Sequence, residues 1–422
     1  GGGGSAGGGG SAGMPPTCDC MFNVSTPHSG TICDNGTCKT QCDAGYTDAD
    51  QQYANGCEHR VTAFGWKPSN FDPANSALLA ATIDKLVINC SATLDFGTTL
   101  AASVDICGQQ LQPVLLTQSN GGPELVAIAV RSLQVTAGKK FKFTGPRPVL
   151  IAVYGDADIA GELDVSAVGA TGAAGSNTGC ETLGMGGGGS DEESASGGGG
   201  GGFGTHGGDG ATDDMSVAPA GVGGPLGGDL KLSPLRGGCS GGVGGLGEKL
   251  RPTGGAGGGA LQLSAAGSLR VLGVIAAAGG GGQATMGSVS PVGYGDGGGG
   301  GGSGGAVLLE ATTLTLSAQG WLTANGGGGG GGRNYYEPLP GADGAHASST
   351  PAPGGKGTTT SPGGPGAAGD VQAASAPAPK DCFSAWGCGG GGGGGGVGRV
   401  VLRANSCELL GGTSPTAACT SL

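Results

Sequence analysis

The sequence predicts an all-β protein whose main body is a right-handed parallel β-helix with long glycine-rich inserts. The first observation is a unit of two or three short strands that recurs at 149–170, 258–282 and 304–329. Its apolar residues are spaced two apart, which is the period of a β-strand. The second is a run of glycine that follows each of the two clearest copies. One unit cannot bury its own apolar face, whereas stacked units can, and this favours a solenoid.

The copies align on one glycine each: Gly161, Gly273 and Gly320. Downstream of that glycine the equivalent apolar residues are Leu163, Ile275 and Leu322. Upstream, the pair Ile151 and Val153 matches Leu261 and Leu263, and Val307 and Leu309. Weaker copies extend the series at 86–107, 124–145 and 397–412. A β-sandwich is the alternative, but the likeness among the units favours the β-helix.

The composition excludes several classes of protein. Of the 422 residues, 104 are glycine and only 12% are charged, so the strand units alone are apolar enough to form a core. Glycine does not keep the strict period of three that a collagen triple helix requires. A net charge of −12 without a basic stripe argues against a nucleic-acid partner. No apolar run reaches the length of a membrane span.

Fourteen cysteines in such a chain predict disulfides and an oxidising compartment. We therefore expect a secreted protein or one on the outer cell surface. We expect Cys90 and Cys107 to form a disulfide within the first coil. Further pairs are expected to close the first insert and the C-terminus. The cysteines expected in disulfides are Cys18, Cys20, Cys33, Cys38, Cys42, Cys57, Cys90, Cys107, Cys180, Cys239, Cys382, Cys388, Cys407 and Cys419.

The N-terminal part of the chain divides into three segments. Residues 1–13 are typical of an engineered flexible linker. Residues 14–60 form a small cysteine module, in which disulfides replace a core that is too small; a zinc site is the alternative, although paired zinc hooks are absent. Residues 61–85 connect and cap the solenoid, with Asp72 predicted as a helix N-cap and Pro73 as the first helical residue.

A weak calcium candidate lies inside the cysteine module. Asp48, Asp50 and Asn55 place oxygen ligands close together in one loop. The central glycine and bidentate glutamate of a complete calcium loop are missing, so a solvated turn is the simpler interpretation. No other metal or cofactor is expected from the sequence.

Residues 86–422 are predicted to form the β-helix, interrupted by inserts at 171–257, 283–303 and 326–396. Each insert has a glycine run at both of its feet. Extended glycine segments have a threefold helical character and free backbone donors and acceptors. We therefore predict a packed layer of polyglycine helices beside the solenoid, with plain disorder as the alternative.

Four aromatic residues near the insert tips are candidate binding residues: Tyr294, Tyr335, Tyr336 and Trp386. Exposed aromatic rings at a loop tip stack on sugar rings or anchor a protein contact. The alternative is that they pin the third insert to the solenoid. The sequence leaves both interpretations open.

Four carboxylates are the only candidates for catalysis: Asp156, Asp158, Glu162 and Asp164. Two carboxylates that face one groove can act as acid and base in glycoside cleavage. However, they alternate with apolar residues in GDADIAGELDV, as the solvated outward face of two strands does. We therefore treat them as weak candidates.

Residues 14–422 also resemble a known group of proteins. The segments SNFDPA (69–74), LVINC (86–90), DFGTTL (95–100) and TGPRPVLIAVYGDADIAGELDVSA (144–167), with NGCE at 55–58, carry the resemblance. They resemble glycine-rich secreted or surface β-solenoid proteins of myxobacterial type, in which a cysteine module ending in NGCE precedes the solenoid. The resemblance implies an architecture and a location but no reaction.

Together these observations favour a non-enzymatic structural or adhesive protein that presents glycine-rich loops on a rigid solenoid. Its expected partners are a glycan or a surface protein. A carbohydrate-active β-helix enzyme, a lyase or a glycosidase, is one alternative. A scaffold that self-associates through exposed edges is the other.

Overall fold

The computed structural model describes residues 28–34, 37–42, 46–47, 57, 59–60, 64–180, 184–191, 194–213, 219–247, 250–285, 295–333, 338–357, 361–380, 382 and 387–422. The chain forms two compact units, Gly1–Thr62 and Ala63–Leu422. Nearly all regular structure is β, and the described elements include one short helix.

The first unit contains two small antiparallel pairs of strands. Its strands are β1 (Ser29–Asp34), β2 (Thr37–Cys42), β3 (Tyr46–Thr47) and β4 (His59–Arg60). Strand β1 pairs with β2, and β3 pairs with β4. A disulfide joins Cys42 to Cys57. The calcium candidates Asp48, Asp50 and Asn55 lie outside the described residues, as do Cys18 and Cys20.

The second unit begins with the connector, whose helix α1 spans Ser76–Ala80. Asn75 caps it, because its side chain accepts from the N–H groups of Ala77 and Leu78. The prediction of Asp72 as the N-cap is therefore wrong. Asp72 Oδ1 instead accepts from Ala74 N at 2.9 Å, in a turn that precedes the helix.

The strands of the second unit follow in short succession and then at the ends of long inserts. They are β5 (Ile83–Ile88), β6 (Ala92–Asp95), β7 (Val104–Ile106), β8 (Gln109–Leu111), β9 (Val114–Leu116), β10 (Leu125–Val135), β11 (Lys140–Thr144), β12 (Val149–Val153), β13 (Ala157–Ile159), β14 (Glu162–Asp164), β15 (Ala260–Val271), β16 (Val274–Ala276), β17 (Ala306–Leu316), β18 (Trp321–Thr323), β19 (Arg399–Leu409), β20 (Gly412–Ser414) and β21 (Cys419–Thr420). The first of them, β5, starts inside the predicted connector 61–85.

Two parallel sheets are built by successive coils of the chain, and each coil adds a strand to both. Sheet I contains β5, β10, β12 with β13, β15, β17, β19 and β21, and β9 adds antiparallel at one edge. Sheet II contains β6, β11, β14, β16, β18 and β20, all parallel. Strands β7 and β8 form a separate hairpin.

The register of sheet II confirms the alignment read from the sequence. Leu163 pairs with Ile275, and Ile275 pairs with Leu322. All three side chains are fully buried and belong to one hydrophobic core. The predicted apolar column is therefore present.

One part of the alignment in sheet I is wrong by two residues. Ile151 pairs with Leu263 and Val153 with Ala265, so Val149 is the true partner of Leu261. A shift of two keeps the same face of a strand inward, so the apolar pattern could not distinguish the two registers.

The three inserts connect β14 to β15, β16 to β17, and β18 to β19, and their glycine segments pack into one layer. In the run 297–302 each N–H bonds to one of three neighbouring segments, and the choice repeats every third residue. Residues 298 and 301 donate to 389–396, residues 299 and 302 to 277–283, and residues 297 and 300 to 239–245. This is the period of a threefold polyglycine helix.

The carbonyl groups of the same run accept from three further segments. The donors are Gly198 and Gly201 in the first of these segments, Gly327 and Gly330 in the second, and Gly255 in the third. The segment that contains 297–302 is thus bonded to six neighbours. The runs 197–202, 326–332 and 389–396 also bond to six segments each. The longest glycine runs are therefore the interior of the layer.

Four disulfides lie in the second unit. They join Cys90 to Cys107, Cys180 to Cys239, Cys382 to Cys388, and Cys407 to Cys419. With Cys42–Cys57 in the first unit, five disulfides indicate an oxidising, extracellular setting. Within the part of the chain that the structure describes, no helix is long and apolar enough to cross a bilayer.

Candidate functional site

Two of the four predicted carboxylates, Glu162 and Asp164, lie together on β14 in sheet II. Leu163 between them is buried in the core, so the two carboxylates share the outer face of the strand. Strand β11 runs beside β14 and places Lys140 opposite Glu162 and Lys142 opposite Asp164. Opposite charges directly across two strands stabilise the pairing.

Lys140 bridges the two carboxylates. Its Nζ lies 2.9 Å from Glu162 Oε1 and 3.0 Å from Asp164 Oδ2. Lys142 Nζ is 3.8 Å from the same Asp164 oxygen. The other oxygen of Asp164 accepts from Ser166 N at 2.7 Å. Both carboxylates are thus neutralised by the protein's own cations.

A segment of the third insert covers this pair from outside. His346 Nδ1 donates to Glu162 Oε1 at 2.7 Å. Thr323 Oγ1 donates to the carbonyl of His346 at 2.7 Å, and Asn325 Nδ2 donates to the carbonyls of Ala345 and Ser348. The segment is therefore fixed to β18 and to the residues that follow it.

Coverage by this segment corrects the prediction of a solvated face for Asp164. Its side chain is only 1% exposed, whereas Glu162 is half-buried. Sequence reasoning missed the role of His346, because it lies 184 positions from Glu162 along the chain and no local pattern signals that contact.

The electrostatics follow from these contacts. Burial by itself raises the pKa of Glu162, but hydrogen bonds from His346 and Lys140 outweigh it, so the pKa lies below its ordinary value. Burial lowers the pKa of Lys140, but the charge of Asp164 and the hydrogen bonds to Glu162 and Asp164 outweigh burial, so the pKa lies above its ordinary value. The charged forms of both groups are favoured.

The contacts of this cluster fit a structural role better than a catalytic one. A general acid for glycoside cleavage needs a raised carboxyl pKa, and Glu162 has a lowered one. Glu162, Asp164 and His346 bring three metal-ligand atoms within 4.8 Å of one another. Lys140, however, already bonds to both carboxylates, and a cation would have to displace its ammonium group.

The other two predicted carboxylates do not join this cluster: Asp158 lies on β13 in sheet I, and Asp156 directly precedes that strand. Asp156 Oδ1 accepts from Ser268 N at 2.6 Å and from Ser268 Oγ at 2.7 Å. Asp158 forms a 2.7 Å ion pair with Arg270 on the next coil. These contacts tie neighbouring coils together on an exposed face.

A second polar cluster, centred on Glu310, was not anticipated from the sequence. Glu310 is fully buried on β17 and accepts from Ser69 Oγ at 2.7 Å, from Ser264 Oγ at 2.8 Å and from Arg403 Nη1 at 2.5 Å. Gln262 Nε2 adds a bond at 3.0 Å. These hydrogen bonds and the charge of Arg403 offset the free-energy cost of burying the carboxylate. The sequence feature that indicates this cluster is the single glutamate in the apolar run AVLLEA (306–311).

The aromatic candidates Tyr294, Tyr335, Tyr336 and Trp386 lie outside the described residues. Each falls in a short stretch that connects two glycine segments of the layer. Cys382 and Cys388, which flank Trp386 in the sequence, are joined by a disulfide.

No family model, no curated protein and no solved structure matches the chain. The fold and the clusters described above therefore rest on the chain's own residues. We call the Glu162 and Glu310 clusters polar clamps, because each joins parts of the chain that are far apart in sequence.

Proposed function

We propose that the protein is a non-enzymatic structural or adhesive protein of the extracellular space or the outer cell surface. In this proposal the two parallel sheets form a right-handed β-helix, and the glycine layer extends it into a broad, stiff platform. The connecting stretches at the ends of the glycine segments contact a glycan or a surface protein.

The observation that supports this proposal most is the hydrogen bonding of the glycine layer. Four interior runs each bond to six neighbouring segments, so most of their backbone donors and acceptors are paired within the protein. Because these runs carry no side chains, backbone hydrogen bonds and close contact hold them together. A layer of this kind fixes the spacing of the loops that it carries, which lowers the entropy lost on binding.

The two polar clamps support the same proposal. The His346–Glu162 contact holds the third insert against sheet II, and Ser69 holds the connector against Glu310 in sheet I. Both clamps join parts of the chain that are far apart in sequence. Their groups are engaged with one another, as expected for positioning and not for turnover.

The carbohydrate-active enzyme remains an alternative proposal, with Asp156, Asp158, Glu162 and Asp164 as its candidate residues. It would need Lys140 to leave the carboxylates during the reaction. Self-association is the third proposal. It would use the outer strands of the sheets, since β6 and β20 have no partner on one side among the described strands.

Binding to whole bacterial cells and to a panel of polysaccharides, with release of reducing sugar measured in parallel, tests the function. We expect binding without turnover. Replacing Tyr335, Tyr336 and Trp386 together by serine should abolish binding, whereas Leu339→Ser, an exposed control in the same insert, should not. Turnover that is lost in Asp158→Ala would contradict the proposal, and a mass that rises with concentration would favour self-assembly.

A further inference from the structure

An open cleft of about 550 Å³ lies on the connector of the second unit, on the segment that Ser69 ties to Glu310. Its volume is in the range of small-molecule sites. The residues whose side chains line it are Phe64, Trp66, Lys67, Phe71, Asp72 and Ser119. Neither the aromatic candidates of the insert tips nor the carboxylates of β13 and β14 take part in it.

Aromatic rings form one wall of the cleft. The Phe64 ring meets Trp66 edge to face at 5.1 Å between centroids, and Phe71 and Tyr154 at 5.9 and 5.5 Å. Phe64 and Trp66 remain half-exposed, while Phe71 is buried behind them. The whole chain has only three Trp and eight Phe, so this concentration of rings in one short segment is notable.

The wall is held rigidly from behind. Ser69 bonds to Glu310 and Arg403, and Asn70 Nδ2 donates to Gln262 Oε1 at 3.0 Å. Tyr154 Oη donates to the carbonyl of Pro73 at 2.7 Å. The connector that carries the rings is therefore tied down at Ser69, Asn70 and Pro73, and the cleft is preorganised.

The polar groups of the cleft are balanced in charge. Lys67, Asp72 and Ser119 are exposed and supply a cationic donor, an anionic acceptor and a hydroxyl group. One positive and one negative group favour neither an anionic nor a cationic ligand. Among the described residues, Trp66 Nε1 is shielded from solvent and has no hydrogen-bond partner.

We infer that this cleft binds a neutral sugar ring. The apolar face of a pyranose packs against the exposed parts of Phe64 and Trp66, as aromatic side chains with a polar handle allow. Its hydroxyl groups donate to Asp72 and accept from Lys67, with charge-assisted hydrogen bonds that fix the orientation. The inference rests on the proposed adhesive function for the class of ligand, but it names a site of its own.

The test is titration calorimetry of the full chain with neutral hexose and N-acetylhexosamine di- to tetrasaccharides, preceded by an array of the same compounds. We expect Trp66→Ala to weaken binding at least tenfold. Because removal of the ring could loosen the connector, the double variant Lys67→Ala with Asp72→Asn provides a second measure, since asparagine keeps the turn bond to Ala74. It should also weaken binding at least tenfold, with an unchanged melting temperature.

Leu339→Ser, at an exposed position of the third insert, is the control. Loss of binding in Trp66→Ala with full binding in Leu339→Ser supports the cleft. Full binding in Trp66→Ala, with loss of binding in the triple serine variant of Tyr335, Tyr336 and Trp386, overturns the cleft and leaves the proposed adhesive function standing. If none of the neutral saccharides binds the unchanged chain, the inference fails; adhesion to cells through a protein would still be open to the whole-cell assay.

Discussion

At the scale of single residues, glycine is required at each position in the interior of the layer. Gly300 is bonded to Gly242 through its N–H and to Gly255 through its carbonyl. A Cβ built on Gly300 would meet the carbonyl oxygen of Gly199 far closer than Cβ atoms approach backbone in proteins. Glycine is required here because backbone packs directly on backbone. The backbone of Gly300 itself has an ordinary extended conformation.

Gly300→Ala should therefore destabilise the protein by about 3 kcal/mol, since the layer must separate locally to admit a methyl group. Gly65→Ala is the control, because a Cβ at Gly65 meets nothing within 4 Å; it should change stability by less than about 0.5 kcal/mol. Denaturant unfolding measures both. Equal stability of the two variants would contradict the packing of the layer.

The Glu162 clamp predicts a pH dependence at the same scale. Since the pKa of Glu162 is lowered in the folded protein, its contribution is present above the unfolded pKa, about 4.3 for glutamate. It is lost as pH falls through the folded value. Glu162→Gln removes this contribution.

We therefore expect the stability difference between the unchanged chain and Glu162→Gln to be constant near neutral pH and to shrink below about pH 4. Urea unfolding between pH 3 and 7 measures it. Glu124→Gln is the control, because Glu124 lies in an exposed ion pair with Arg147; exposed pairs contribute little. A difference that grows on acidification would argue against the clamp.

At the scale of elements, the position of a segment in the layer determines its composition. Interior segments need glycine at every position, since neighbours surround them on all sides. The outer segment 219–227 needs it only every third residue: Gly221, Gly224 and Gly227 face inward, and Val222 is 69% exposed between them. The period of three in such outer segments was available in the sequence and was overlooked.

Disulfides close two of these inserts, and their loop lengths predict unequal effects. Cys180–Cys239 spans 59 residues and Cys382–Cys388 spans 6. The chain-entropy argument gives about 4 kcal/mol for the first and about 2 kcal/mol for the second. Replacing each pair by alanine and measuring denaturant unfolding tests this order. A larger loss for the short loop would show that native contacts, and not chain entropy, decide the effect.

At the scale of the whole second unit, sheets and layer are continuous. Each insert leaves a strand and returns to one, and backbone bonds cross the junction. Gly259 N donates to Val165 O, Gly305 N to Ala277 O, and Arg399 N to Gly305 O. The layer and the two sheets are therefore joined by backbone hydrogen bonds, and we expect neither to unfold without the other.

A single calorimetric transition should follow for this unit, with the calorimetric and van't Hoff enthalpies in agreement. Ile275→Ala, in the apolar column of sheet II, should lower stability by about 2–5 kcal/mol. It should shift the same transition that Gly300→Ala shifts. Two transitions that respond separately to these substitutions would show that the layer and the sheets unfold independently.

The sequence by itself determined the repeating parts of this protein. The apolar period of two and the anchor glycines predicted the column of Leu163, Ile275 and Leu322, because neighbouring coils bury equivalent residues. The glycine runs at the feet of the inserts predicted the layer, because only glycine allows backbone to pack on backbone. Both are properties of a local pattern that recurs.

Only the tertiary structure decided which distant residues meet. His346 reaches Glu162, Ser69 reaches Glu310, and the rings of the connector assemble around Phe64. It also decided the register of Ile151, where a shift of two residues keeps the same face inward. These contacts join segments that are separated by long inserts, and their partners are chosen by how the coils stack. No short-range pattern of side chains carries that information.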